Sequence, residues 1–198
     1  VRPLTLAELA THAPGLALIA SRRSEPRLGP PAPSPEELAL AVELAGTAPD
    51  HRELTPYRMV AIWPDAARAL VARIASERAE DAERARVGLS RAPLFVVVVA
   101  SLDPTARTSL AEQRDAAAVA TGYLLLALAG LGYGSMWRTG RLARDPSLGE
   151  LVGLAPEEQV IALVGVGTSL GLPADPRARH PRLEHRGSPN SQESLGMA

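Results

Sequence analysis

Residues 116–137 carry no charged side chain. A segment of that length either spans a bilayer, for which about 20 apolar residues suffice, or lies inside a protein core. The make-up of the run favours the core. Ala116 to Ala118, Ala120, Thr121, Gly122 and Gly130 make it rich in small residues, and Gly132, Tyr133, Gly134 and Ser135 stop a helix before the run is complete. Arg114 and Arg138 flank it without favouring either membrane orientation. The run therefore predicts a helix over residues 111–131 that is buried on all sides. Its small residues permit close approach of another helix, which a second copy of the same chain can supply.

Such a helix needs layers to cover it. With 198 residues, 46% of them hydrophobic, the chain can form one domain with a sizeable core. Strands are expected at Tyr57 to Trp63, between Pro56 and Pro64, at Leu94 to Ala100 with its unbroken valines, and at Val160 to Val166. Ser34-Pro35-Glu36-Glu37 opens a helix, with Ser34 as N-cap, Pro35 in the first turn and Glu37 as the capping-box acid. Leu38, Val42 and Ala45 share one face of it, and Pro49 ends it near Thr47. Gly15 to Arg22 reads as helical, set off by Pro14 from a Thr5-x-x-Glu8 capping box. Residues 25–35 are a loop rich in Pro and Gly. Asp65 to Leu89 reads as one helix with a charged, solvated second half, and Asp145-Pro146 starts a short one. The class is α+β, a small sheet between helices. Residues 1–15 are expected to be an N-terminal extension, 16–170 the domain, and 171–198 a tail rich in Pro and Arg.

Bulk properties remove several kinds of chemistry. The formal net charge of −1 argues against nucleic-acid binding through bulk positive charge. The absence of Cys excludes disulfides, thiolate catalysis and Cys-ligated metal sites. Every basic residue apart from His is Arg. Val1 to Ala20 holds Glu8, His12 and Pro14 and no basic segment before an apolar run, which argues against a secretory signal and for a cytoplasmic protein.

Three short motifs carry candidate chemistry. Arg22-Arg23-Ser24 offers two guanidinium forks and a hydroxyl that fit a phosphate; equally, two Arg at a helix C-terminus complement its dipole. In Ala48-Pro49-Asp50-His51, the imidazole is a candidate base, metal ligand or donor to a ring carbonyl, or the segment is an Asx-type turn. No second His or acid stands at metal-ligand spacing, so no metal is expected. Trp137-Arg138-Thr139-Gly140 gives a flat ring, a charge, a hydroxyl and a permissive backbone, or a core Trp beside a turn. Gly130-Leu131-Gly132-Tyr133-Gly134 follows a helix, whereas a dinucleotide fingerprint follows a strand, so it reads as a helix stop. His180 and His185 read as solvated.

In this order, and with Arg91-Ala92-Pro93 before the valine strand and Gly167-Thr168 after the last one, the motifs resemble the nitroreductase family of flavoproteins in its compact YdjA-like branch. The likeness covers residues 16–170. It implies a dimeric three-layer α+β fold with a small mixed or antiparallel sheet, a long central buried helix, and FMN in a cleft between subunits. By the resemblance, Arg22, Arg23 and Ser24 hold the phosphate, the ribityl chain and an edge of the ring. Trp137, Arg138 and Thr139 line the same subunit's side, and Thr47 and His51 come from the partner. Thr47 stands where a basic residue is usual, Thr55 where Gln is frequent, and Thr139 replaces Ser. The implied activity is transfer of hydride in two steps from NADH or NADPH, through the flavin, to nitroaromatics, quinones or similar planar acceptors. No catalytic acid–base pair is required, and Arg23 and Arg138 are candidates for stabilising the reduced ring. The alternative is a flavin-binding or interaction module that no longer turns over.

Overall fold

The computed structural model describes residues 11–171 together with Pro181, Glu184 and Arg186. The Thr5-x-x-Glu8 capping box, His180, His185 and most of the tail lie outside the described residues. The elements are α1 (Pro14–Ser21), β1 (Leu28–Gly29), α2 (Pro35–Ala45), β2 (Tyr57–Ile62), α3 (Pro64–Glu77) and α4 (Ala79–Leu89). They continue as β3 (Leu94–Ser101), α5 (Leu110–Gly130), β4 (Gly134–Arg138), α6 (Pro146–Leu151) and β5 (Glu158–Ser169), with 3-10 turns at His51–Glu53 and Arg141–Arg144.

Strand β3 is buried from Leu94 to Ala100 and feeds two cores by its period-two alternation. Phe95, Val97 and Val99 meet Ile62, Ile74 and Leu148 on the side of α3, α4 and α6. Leu94, Val96 and Val98 meet Leu38, Leu124 and Leu128 on the side of α2 and α5. The result is helices, sheet, helices. The strand order is β1-β5-β3-β2, with β4 also on β5, and all these ladders are antiparallel. Because β3 occupies one edge of β5, β4 and β1 take successive stretches of the other, opposite residues 163–167 and 168–169.

Both capping boxes form. Ser34 and Glu37 cap α2, and Ser109 and Glu112 cap α5. Glu37 also accepts a hydrogen bond of 2.8 Å from the Tyr133 hydroxyl, which pins the start of α2 to the turn before β4. On α5, Ala116, Ala117, Ala120, Thr121, Leu124 and Leu128 are buried, whereas Val119 and Tyr123 are each 38% exposed. Burial in the single chain thus stops short of the full circumference. Among the described residues no helix is long and apolar enough to cross a membrane.

Three elements differ from expectation, the first being β1, two residues of strand that β5 draws from the segment expected to be a loop. The single helix expected over 65–89 is two, α3 and α4, broken at Arg78, whose φ and ψ are −148° and 79°. The Arg78 guanidinium donates to Asp145 Oδ1 at 2.7 Å and to Ser147 Oγ at 3.1 Å, tying α6 to the break. These tertiary bonds overrule a local pattern that is helical throughout. Strand β4 was not expected, because Gly134-Ser135-Met136 has little strand propensity. It forms because β5 is long enough to offer an unpaired edge.

At the start of β5, the Arg58 guanidinium donates twice to the Glu158 carboxylate, at 2.7 and 2.6 Å, and holds its pKa down to about 2. Since the folded chain binds this proton less readily than the unfolded one, the contribution is complete above pH 4.5 and is lost as pH falls towards about 2. Glu158→Gln is expected to cost about 1–2 kcal/mol at neutral pH and to flatten the acid limb of stability. Denaturant melts of both proteins between pH 7 and pH 2 check this.

Candidate functional site

Strand β4 is where the distant motifs meet. Its register sets Trp137 opposite Val164 and Arg138 opposite Leu163. Those partners belong to different cores, so the indole faces α5 and the guanidinium faces α4. The chain from Ser24 runs alongside β4: Ser24 bridges Ser135 in parallel, Glu25 N–H donates to the Ser135 carbonyl at 3.0 Å, and Arg138 Nη2 reaches the Pro26 carbonyl at 3.5 Å. Leu28 N–H then donates to the Arg91 carbonyl at 3.2 Å. Glycine in β5 permits this crowding. A Cβ on Gly167 would lie 2.6 Å from Pro93 Cδ and 2.7 Å from the Gly29 carbonyl oxygen.

Four buried side-chain polar atoms have no hydrogen-bond partner among the described residues: Arg22 Nη1, Trp137 Nε1, Arg138 Nε and Thr108 Oγ1. Three of them belong to the motifs just described, and all three are donors. A buried donor without a partner costs about 1–3 kcal/mol, and such a group calls for a missing acceptor. Arg23 is placed differently. Its Nη1 donates to the Ala20 and Arg22 carbonyls at 2.6 and 2.8 Å, so part of its fork serves the end of α1.

Arg138 also faces Arg91. Burial first, and then the Arg91 charge, push the Arg138 pKa below its usual value. Neither guanidinium has a carboxylate partner among the described residues. Arg91 thus stands beside the Trp137–Gly140 motif, although in sequence it marks only a resemblance. The available signal was an Arg immediately before the Ala-Pro that leads into a buried strand.

Thr47 and His51 lie elsewhere. Thr47 Oγ1 donates to the Leu44 carbonyl at 2.8 Å, and His51 opens an exposed 3-10 turn. Thr55 N–H donates to Asp50 Oδ2, so Asp50 does close a turn. Arg52, Glu53 and Thr55 have φ of 68°, 55° and 46°, an unfavourable conformation for non-glycine residues. The Glu112 carboxyl is held below its usual pKa by the Ser109 backbone first, and His51 and Arg52 add to the effect, which places them beside the first turn of α5. Arg22 is at the other end, since Leu18, one turn before it, packs against Gly130. The helix between Glu112 and Gly130 is about 27 Å long at 1.5 Å per residue. One chain therefore does not bring His51 and Arg22 into one site.

The facing charges generate a prediction. Arg138→Met keeps the apolar stem and removes one of two like charges. The cofactor-free variant is expected to gain about 1 kcal/mol of stability after solvent screening, read as a higher melting temperature at low salt. A lower one would mean that Arg138 is held by favourable contacts.

Residues 19–168 match the nitroreductase family. A Haemophilus influenzae protein bearing the name NAD(P)H nitroreductase is 33% identical over 162 residues, 78% of this chain and 88% of its own length. YdjA of Escherichia coli K12, similarly named, is 30% identical over 161 residues, 77% of this chain and 87% of its own. The solved nitroreductase-like family protein of Bacillus cereus superposes with a TM-score of 0.72 at 20% identity, covering 91% of this chain and 94% of that one. An FMN-dependent nitroreductase of Clostridium difficile R20291 does so with a TM-score of 0.61 at 18% identity, covering 79% and 88%. The α+β fold expected from the sequence is the one these structures share, and the chain belongs to the nitroreductase family of oxidoreductases.

Proposed function

We propose that the chain is an FMN-dependent NAD(P)H oxidoreductase that acts as a homodimer and reduces nitroaromatics, quinones or similar planar acceptors. The observation that carries this reading is the set of buried, unpartnered donors flanking β4. FMN offers acceptors of matching kind: phosphate oxygens, ribityl hydroxyls and pyrimidine carbonyls. The similarity to relatives named for NAD(P)H, and to an FMN-dependent structure, supports the same cofactors.

In this reading Arg22 gives its free Nη1 to the phosphate region, with Ser24 and the remaining donors of Arg23 beside it. Arg138 and Arg91, which share a cavity, would hold the pyrimidine edge and supply positive charge there. Trp137 supplies a flat surface and an N–H, and Thr139 lies at the exposed end of β4. FMN, when bound, would supply the hydride chemistry between NAD(P)H and the acceptor. The protein binds, orients and neutralises; it needs no acid–base pair of its own.

The remaining contacts come from a second subunit. A twofold axis that crosses two α5 helices antiparallel brings the Glu112 end of one, with Thr47 and His51, to the Gly130 end of the other, with Arg22. Leu40, Leu44, Val119 and Tyr123, on α2 and α5, are 44%, 43%, 38% and 38% exposed and give such a pair an apolar face to cover.

Purified protein is expected to show flavin absorbance that anaerobic NAD(P)H bleaches. Colour without bleaching would instead favour a non-catalytic flavin-binding module. Arg22→Ala should weaken FMN at least tenfold, or about 1.4 kcal/mol, while leaving the fold intact. A mixed dimer of Arg22→Ala and His51→Ala subunits should regain about one working site, because both lesions fall in one cleft. If heterodimers form and nothing returns, the cleft is not shared between subunits.

A further inference from the structure

Thr139 lies between two cavities that the flavin reading leaves unused. One, of about 600 Å³, runs between α4 and the Arg141–Arg144 turn and is lined by Arg78, Arg84, Arg141 and Arg144. The other, of about 560 Å³, lies towards α6 and β5 and is lined by Arg114 and Arg144. They share Thr139, Arg144, Asp145 and Pro146 and so form one trough. Arg84 also borders a further cavity of about 480 Å³, which holds Arg91 and Arg138. Each cavity is within the size range of small-molecule sites.

The charges of the trough do not cancel locally. Its acids are engaged: Asp145 with Arg78 at 2.7 Å, Asp81 with Arg84 at 2.6 Å, Glu158 with Arg58 at 2.6 Å, and Glu150 with Arg73. Arg114 and Arg144 have no carboxylate partner among the described residues. Arg141 is 76% exposed and comes no nearer than 4.0 Å to an Asp81 oxygen already held by Arg84. Arg141 and Arg144 sit at the two ends of one 3-10 turn and border the same cavity. They present two open guanidinium forks, a donor arrangement suited to a phosphate dianion.

We infer that this trough receives the adenosine arm of the reductant, and that Arg141 and Arg144 bind the 2′-phosphate that distinguishes NADPH from NADH. The inference rests on the flavoenzyme reading, in which Thr139 lines the flavin's side of the cleft while also bordering both cavities. From there the trough is the continuous cavity that leads away past Arg141, and its excess charge matches the group by which the two reductants differ. Uncompensated cations also concentrate an anionic substrate at the entrance.

The test uses the full chain, with and without FMN, titrated calorimetrically with adenosine 2′,5′-bisphosphate, 5′-AMP and inorganic phosphate. The bisphosphate is expected to bind at least tenfold more tightly than 5′-AMP. In the Arg141→Ala/Arg144→Ala double variant that preference should fall below threefold, and the ratio of kcat/KM for NADPH to that for NADH should fall at least tenfold. Arg141→Lys should restore part of the preference. Flavin absorbance reports independently on the flavoenzyme reading, so a colourless protein that still prefers the bisphosphate would sink that reading and not the anion site. Equal binding of the bisphosphate and 5′-AMP by wild type would overturn the inference. So would inorganic phosphate binding as tightly as the bisphosphate, which marks an adventitious anion site, or a preference that survives the double variant, which puts the 2′-phosphate elsewhere.

Discussion

Strand β5 is the element to which the candidate site is fastened. It carries β3 on one edge and, on the other, β4 and β1 in succession. Arg138 is held by the ladder to β5. Arg22 to Ser24 are held by the chain that runs beside β4 into β1, and Arg91 by the backbone bond to Leu28. None of these segments reaches its neighbours without the close passage at Gly167, where Pro93 and Gly29 occupy the space of a side chain. The two cores of β3 hold the sheet in which β5 serves three partners at once, so the candidate polar residues rest on apolar packing.

What could be read from sequence follows the range of the forces involved. Capping boxes are decided within four residues, so Ser34–Glu37 predicts its helix start correctly. The valines of β3 and the uncharged run of α5 also declare themselves, because burial is written into composition. Strand β4 does not declare itself: its glycine, serine and methionine become a strand because β5 has an edge to fill. The break at Arg78 depends on Asp145 and Ser147, 67 and 69 residues away. Arg91 becomes interesting once Arg138 stands opposite it, a relation no spacing rule encodes.

The candidate residues divide in the same way. Arg22 and Trp137 to Thr139 are assembled by one chain, as their motifs hint. Thr47 and His51 are a helix length away from Arg22, at the Glu112 end of α5. Sequence gives the residue types of both halves and nothing about the distance between them. The strained turn at Arg52 to Thr55 fits the same picture, since a conformation disfavoured by its own residues is maintained where other contacts define it.

The chain contains no lysine, and every cation along β4 and the trough is a guanidinium. A lysine facing another cation in a half-buried place relieves the conflict by giving up its proton. Arginine has no such exit at any pH the fold is built to meet. The tension between Arg91 and Arg138 is therefore not relieved by loss of a proton. A surface of this kind keeps its positive charge from mild acid to mild alkali, and reagents that acylate or carbamylate amines find no lysine there to silence.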